Sequence, residues 1–435
     1  MKFLPTTVRK FLTIIAYIAL ISGLQAQDGI NVPNSVFGLG DPLGAGFTVS
    51  RMMAGANTAV VQADNINVLN PAANAYLGSP VFDVALQSRN YRYNSPAFSG
   101  TQTNTSIRHF AIGFAKGKRF GMSFSLNPFT RVEYSVKEQG EIPDIGTFSN
   151  TYVGSGGINR FTANAAYKIY TDSLSSLSLG LGGQYYFGFI ERSSFTEIAN
   201  ASTFNALTAD NILLGDFGAQ AGLIYRRKLN TKLVINLGAS YEYAGNVRTS
   251  RELTSLRYTG QFEGSNAFIL DTILNSVDTG ATVIPSSQRA GLSFEVNRKW
   301  VFSLNYEQVN WAGLKIFGQN QNLANRVMFA FGAEFWPDFR ASNDLFEFMR
   351  YRAGVRYGQS HITDNGNPVD EFGISLGLSI PMIKSGSLSS LNIGWEFAQR
   401  ELPSSSLTET ISRINVGVIM TPNKFDRWFF RRKID

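Results

Sequence analysis

The chain reads as an all-β protein: a 14-stranded antiparallel transmembrane β-barrel with an N-terminal plug inside its lumen. Three observations predict this. Apolar and polar residues alternate with period 2 over long stretches, which puts them on opposite faces of strands. Fourteen such stretches can be traced, and the connections between them alternate between long and short. The one uninterrupted apolar run of helix type lies at the extreme N-terminus, where it has the layout of an export signal.

Residues 1–26 are expected to be that signal. Lys2, Arg9 and Lys10 give a basic start, Phe11 to Leu20 (FLTIIAYIAL) an apolar centre, and Ser22 to Ala26 a cleavage region, most simply after Ala26. Removing it leaves 36 Lys+Arg against 32 Asp+Glu, a net charge of +4. Much of that excess sits from Lys424 onward, where five basic residues face two acids, so the basic balance is no case for nucleic-acid binding. Charged residues make up 16% of the 435-residue chain and aromatic ones 13%, which excludes a disordered chain. With no Cys, disulfide scaffolds, thiolate metal sites, a Cys nucleophile and a lipoprotein anchor are all excluded.

The barrel is expected over 81–421. Its fourteen strands are read at 82–92, 106–116, 120–136, 159–170, 177–190, 212–226, 232–248, 288–297, 300–311, 325–336, 349–359, 371–381, 390–400 and 411–421. In the third, Phe120, Met122, Phe124 and Leu126 alternate with Gly121, Ser123, Ser125 and Asn127. Most have 10 to 17 residues, where soluble strands have about 5–6 and tilted bilayer-crossing strands about 9–11. A soluble sandwich or propeller would alternate too, but strand length, the export signal and the loop asymmetry speak against it. In hydrocarbon every backbone N–H and C=O must be paired, and a closed sheet does this without an edge. Connections after odd strands, such as 137–158, 191–211 and 249–287, are predicted to be long outer loops. Those after even strands, such as 117–119 and 298–299, are short periplasmic turns. The longer connection 337–348 breaks the rule, and its Ala341 to Phe348 part reads as a short capped helix.

Residues 27–80 are too many for a tether and too apolar to be left in solvent. A 14-stranded barrel has a lumen wider than wall side chains fill, so this segment is expected inside it as a hatch. A basic-aromatic tail, 422–435, follows the last strand, with Arg427-Trp428-Phe429-Phe430-Arg431-Arg432-Lys433 at its centre.

The run Ser50 to Leu77, SRMMAGANTAVVQADNINVLNPAANAYL, resembles the N-terminal hatch of the FadL family of outer-membrane transporters for long-chain fatty acids and other hydrophobic compounds. Arg51, Ala54, Gly55, Ala56, Ala63, Asp64, Asn70, Pro71 and Ala72 carry the match. The usual Asn-Pro-Ala-Gly-Leu continues here as Ala73-Asn74-Ala75. The resemblance implies an outer-membrane channel of a Gram-negative cell for passive uptake of hydrophobic compounds, with no catalytic residue and no cofactor. Its hatch motif would be Arg51, Gly55, Asp64, Asn70, Pro71 and Ala72. PorV-like relatives with the same fold imply the alternative: a non-transporting carrier or scaffold subunit of a secretion or assembly complex, docked through the tail.

Two further sites follow from the residues. Phe268, Ile269, Leu270, Ile273 and Leu274 make an apolar stretch in the expected outer loop 249–287, a candidate surface for collecting a hydrophobic ligand; packing of that loop on itself is the alternative. Pro128 cannot donate a ladder hydrogen bond, so it marks a bulge or an opening in the wall of strand 3. Outer-membrane lipid and lipopolysaccharide are the expected surroundings.

Several patterns imitate chemistry. Gly373-Ile374-Ser375-Leu376-Gly377 matches a nucleophile elbow, but Ser375 sits inside a period-2 run. The two histidines, His109 and His361, are too few and too far apart for a metal centre. Residues 363–371 carry carboxylates and Gly without the calcium-loop spacing. Gly38-x-Gly40 lacks the strand–helix unit of a dinucleotide site. Arg131, Glu133, Arg352 and Arg356 are expected to pair with one another in the lumen.

Overall fold

The computed structural model describes residues 33–422 apart from 45, 97–98, 144–145, 199–203, 261–266, 339–344 and 383–387. The expected export signal and the tail from Asn423 onward lie outside the described residues.

Fourteen antiparallel strands close into a barrel. They are β1 (Val81–Asn94), β2 (Ser99–Lys116), β3 (Phe120–Arg131 continuing as Tyr134–Ile142), β4 (Gly146–Thr171), β5 (Ser175–Ile198), β6 (Asn205–Lys228) and β7 (Leu233–Tyr243 continuing as Gly245–Thr259). Then come β8 (Phe268–Ile284 continuing as Ser287–Val296), β9 (Trp300–Val309), β10 (Arg326–Phe335), β11 (Arg350–Asp364), β12 (Asn367–Pro381), β13 (Ser390–Leu402) and β14 (Leu407–Met420). Each pairs with its neighbours in sequence, and β14 returns to β1 from Phe82↔Met420 to Asn94↔Thr408. Closure removes the edge that hydrocarbon forbids. The faces follow the alternation: Phe124 and Leu376 point outward while Ser125 and Ser375 are buried inside.

The strands extend well beyond the expected spans. Residues 249–259 and 268–284, expected within one loop, are paired strand from Thr249↔Gly280 to Thr259↔Phe268. Most of 137–158 and 191–211 is likewise strand. At 26 residues, β4 reaches roughly 65 Å at about 3.3 Å per residue and a tilt near 40°, twice the hydrocarbon thickness. The outer half of β3–β8 therefore stands clear of the membrane as a projecting sheet. Sequence alternation failed to mark it because both of its faces meet water. Residues 360–370 also fold tighter than expected: Asn365-Gly366, both at positive φ, make a two-residue hairpin between Asp364 and Asn367. At the opposite rim Leu345–Phe348 is helical, and the preceding 341–344 of the expected capped helix lies outside the described residues.

Residues 33–80 fill the lumen. The chain enters beside the outer part of β3, where the Glu133 N–H donates to Ser35 Oγ at 3.1 Å. It pairs Asp41–Pro42 with Arg131–Thr130, makes one helical turn at Thr48–Arg51 and a 3-10 turn at Pro71–Tyr76, and leaves into β1. Above it the outer lumen is closed by a hydrophobic cluster of Leu39, Val132, Tyr186, Ile212, Trp311, Leu314 and their neighbours. Trp311 and Leu314 belong to the connection after β9, which folds inward.

Candidate functional site

The wall and the plug meet across a belt of inward glycines. Small residues alternate with large outward ones along each strand, so the same period that greases the outside clears the inside. Gly180 on β5 and Gly222 on β6 face each other in register, as do Gly238 and Gly291, Gly332 and Gly354, and Gly377 and Gly394. Each admits the plug so closely that a methyl group would collide. A Cβ on Gly121 would lie 1.8 Å from the Asn74 carbonyl oxygen, and one on Gly180 would lie 2.3 Å from the Ala72 nitrogen.

Polar wall residues between the glycines hold the plug backbone. Ser375 Oγ donates to the Met52 carbonyl at 3.1 Å and accepts from the Ala54 N–H at 2.8 Å. That hydroxyl, which imitated a nucleophile in the sequence, is a plug tether. Ser240 and Ser293 donate to the carbonyls of Leu69 and Ala59 at 2.7 and 3.0 Å.

Each hatch-motif residue has a place. Arg51 bonds Glu396 of β13 at 3.0 Å and the Leu43 carbonyl. Asp64 meets Arg350 of β11 at 2.7 Å. Asn70 caps the Pro71–Tyr76 turn, its Oδ1 accepting from the Ala72 N–H at 3.1 Å, while its Nδ2 reaches the carbonyls of Thr58 and of Leu223 in β6. Pro71 occupies the first helical position, where a missing N–H costs nothing. Ala72 is fully buried against Gly180, and Gly55 takes φ +89° at the turn after Arg51.

The charged lumen residues pair differently from expectation. Arg352 bonds Glu334 at 2.6 Å, Arg356 bonds Glu371 at 3.0 Å and Glu396 at 3.3 Å, and Glu133 lies 3.7 Å from Arg89. Residues of one sign on neighbouring strands find partners across the ladder, whereas the four expected residues include three arginines and one acid. Glu242, Glu307, Glu371, Glu396, Arg289, Arg400 and Arg413 were missed. Their signal was present: each is a charge at a polar-face position of a strand.

These groups surround a cavity of about 120 Å3 between plug and wall, lined by seven arginines and three glutamates. Glu242 holds Arg160 and Arg289 at 3.2 and 2.9 Å. Glu307 holds Arg289 at 2.8 Å and also Arg326. Glu371 holds Arg356 and Arg400 at 3.0 and 2.8 Å. On the plug, burial pushes the Asp41 carboxyl up, but Arg400, 3.6 Å away, and Arg413 outweigh it and hold the group below its usual range. His361 lines the same cavity beside Trp311. His109 lies elsewhere, stacked on Phe47 at 4.0 Å with Nε2 2.9 Å from Asp83. Among the described residues no group of three metal-ligating side chains comes together.

Pro128 sits at a discontinuity. The β3–β4 register shifts between Pro128 and Thr130. On the other side the β2–β3 ladder ends at Phe110↔Leu126, while the outer part of β2 pairs with β1 alone. The outer wall is thus unladdered between β2 and β3, and the plug's Asp41–Pro42 takes the vacant edge of β3. Phe268, Ile269, Leu270, Ile273 and Leu274 lie on β8 as exposed strand and not in a loop. Among the described residues, no strand pairs with the far side of 268–281.

Solved structures share the architecture. A Pseudomonas aeruginosa FadL homologue superposes with TM-score 0.55 at 13% identity, over 88% of this chain and 99% of that one. The Pseudomonas putida toluene transporter TodX gives TM-score 0.56 at 15% identity over 87% and 99%. The CymD monoaromatic hydrocarbon channel gives TM-score 0.51 at 14% over 88% and 99%. At these identities the likeness concerns the fold: an outer-membrane β-barrel of FadL type. No curated protein sequence matches the chain. A family model described as BamG matches residues 7–435, nearly the whole length, and the chain belongs to that family.

Proposed function

We propose that the protein is a closed outer-membrane barrel that serves as a structural subunit of a larger outer-membrane protein complex. The observation that carries this reading is the lumen. Between the plug and the outer hydrophobic cluster the described residues enclose a charged cavity of about 120 Å3, against roughly 300–1,000 Å3 and an apolar lining for a small-molecule site. The projecting sheet supports it from outside. Phe268, Ile269, Leu270, Ile273, Leu274 and Val277 are 42–72% exposed on an edge with which no described strand pairs. Exposed apolar strand edges are a liability unless something covers them.

A second reading is the passive uptake of hydrophobic compounds expected from the sequence. The unladdered stretch between β2 and β3 favours it, since a ligand could leave sideways there into the lipid. One experiment separates the two. The protein is extracted in mild detergent from its own outer membrane, and the same preparation is reconstituted into liposomes. A subunit co-purifies with stoichiometric protein partners, and its liposomes take up radiolabelled oleate no faster than empty ones. A protein that purifies alone and accelerates oleate uptake overturns the subunit reading.

A further inference from the structure

The charges around the lumen cavity do not balance. Behind the three lining glutamates, Glu396, Glu409 and Asp41 reach the same arginines. Six carboxylates therefore serve the seven lining guanidinium groups. Arg108 adds an eighth: it is 1% exposed, its Nη2 donates to the carbonyls of Leu43, Gly44 and Gly46, and its Nε and Nη1 have no partner among the described residues. Arg160 lines the cavity, is equally buried, and spends Nη1 on Glu242 while Nε and Nη2 stay unpartnered.

A buried cation without a counter-charge is among the most expensive features a fold can carry. Here two excess positive charges and several unused donors stand in and beside one buried compartment. The donors are guanidinium forks, whose planar geometry suits two oxygens of one anion. We propose that the cavity binds a small oxyanion, of the phosphate or carboxylate class, seated against Arg160 and neutralising the excess. The volume accommodates such an ion with ordered water but not an acyl chain. The bound anion ties β4, which carries Arg160, to the plug segment around Arg51.

The test uses the full chain in detergent, stripped of phosphate by exchange into a zwitterionic buffer, with inorganic phosphate as probe at constant ionic strength. Binding to the folded state alone shifts the folding equilibrium roughly 100-fold when phosphate is about 100 times its Kd. That shift is read as a slower loss of heat-modifiable migration. Arg160→Gln should abolish the phosphate dependence. Equal dependence in wild type and variant, or none in wild type, overturns the proposal. Because Arg160→Gln also breaks a buried pair and so puts folding itself at risk, wild-type crystals soaked in selenate give an independent readout. An anomalous peak in the cavity beside Arg160 supports the site, and its absence overturns it. Mass spectrometry of material extracted from denatured native protein then tells the source. Free phosphate or a free carboxylate at one equivalent identifies a soluble ion, and a phospholipid at one equivalent identifies a lipid headgroup.

Discussion

Replacing Gly121 with Ala tests the contact between plug and wall where it is tightest. The new Cβ would stand 1.8 Å from the Asn74 carbonyl oxygen. Real Cβ contacts essentially never fall below 3.0 Å, so backbone must yield by more than an ångström. Neither side can turn a rotamer to do it: one atom belongs to a wall strand and the other to the Pro71–Tyr76 turn. Overpacking of this sort costs about 1–3 kcal/mol. The shift also strains the Asn74 Nδ2 bond to Ser123 Oγ, 3.0 Å in the native contact. The penalty falls on the docked plug and spares barrel closure, so the undocked population should rise roughly 5- to 150-fold. Gly183→Ala is the control, because its Cβ points outward with nothing within 4 Å. Both variants should migrate as folded, heat-modifiable barrels. Only Gly121→Ala should show more frequent openings in planar bilayers and faster proteolysis of the 33–80 segment. Identical behaviour of the two variants would refute the idea that the glycine belt seats the plug.

Phe124→Arg places a charge on the hydrocarbon face and should cost about 2–4 kcal/mol near the midplane, whereas Ile273→Arg on the projecting sheet should leave urea stability within about 0.5 kcal/mol; equal losses would mean the membrane band is misplaced. Glu396→Gln removes the carboxylate bonded to Arg51 and Arg356 and should destabilise by about 3–5 kcal/mol; a neutral result in urea unfolding would show that water already reaches these charges. In this Cys-free chain, Asn275→Cys should react with a membrane-impermeant maleimide on intact cells and Lys299→Cys should not; the reverse pattern would invert the topology.

The barrel was legible because its physics is one-dimensional. A strand with lipid on one side and packed polar groups on the other writes its faces into alternate residues, as at Phe124 and Ser125. The projecting sheet was not legible, because residues such as Leu270 and Asp271 meet solvent on both faces and lose the alternation. The hatch motif was legible as composition, but its partners were not. Glu396 lies 345 residues from Arg51, and nothing local in either segment records the pair. The inward glycines were read only as small lumen residues. Their purpose appears when Gly180 and Gly222 come into register beneath Pro71 and Ala72.

The two functional readings differ in which part of the plug must move. Releasing the whole plug breaks the Arg51–Glu396 and Asp64–Arg350 pairs together. At about 3–5 kcal/mol for each uncompensated buried charge, that state is populated below about one part in ten thousand. A conduit through the lumen would therefore need a ligand or partner that binds the open form at least that much more tightly. A sideways route at the β2–β3 discontinuity demands less. Only the stretch holding Asp41–Pro42 against Arg131–Thr130 has to leave, which breaks the single Asp41–Arg400 pair but leaves Arg51–Glu396, Asp64–Arg350, Asn70 and the glycine belt in place. Uptake, if this barrel performs it, should then survive a covalent lock between the deeper plug and the wall, such as a disulfide between Ala54→Cys and Ser375→Cys. A lock that abolished oleate uptake would place the moving part in the lumen, and a protein with no uptake either way leaves the closed barrel to act through its outer sheet.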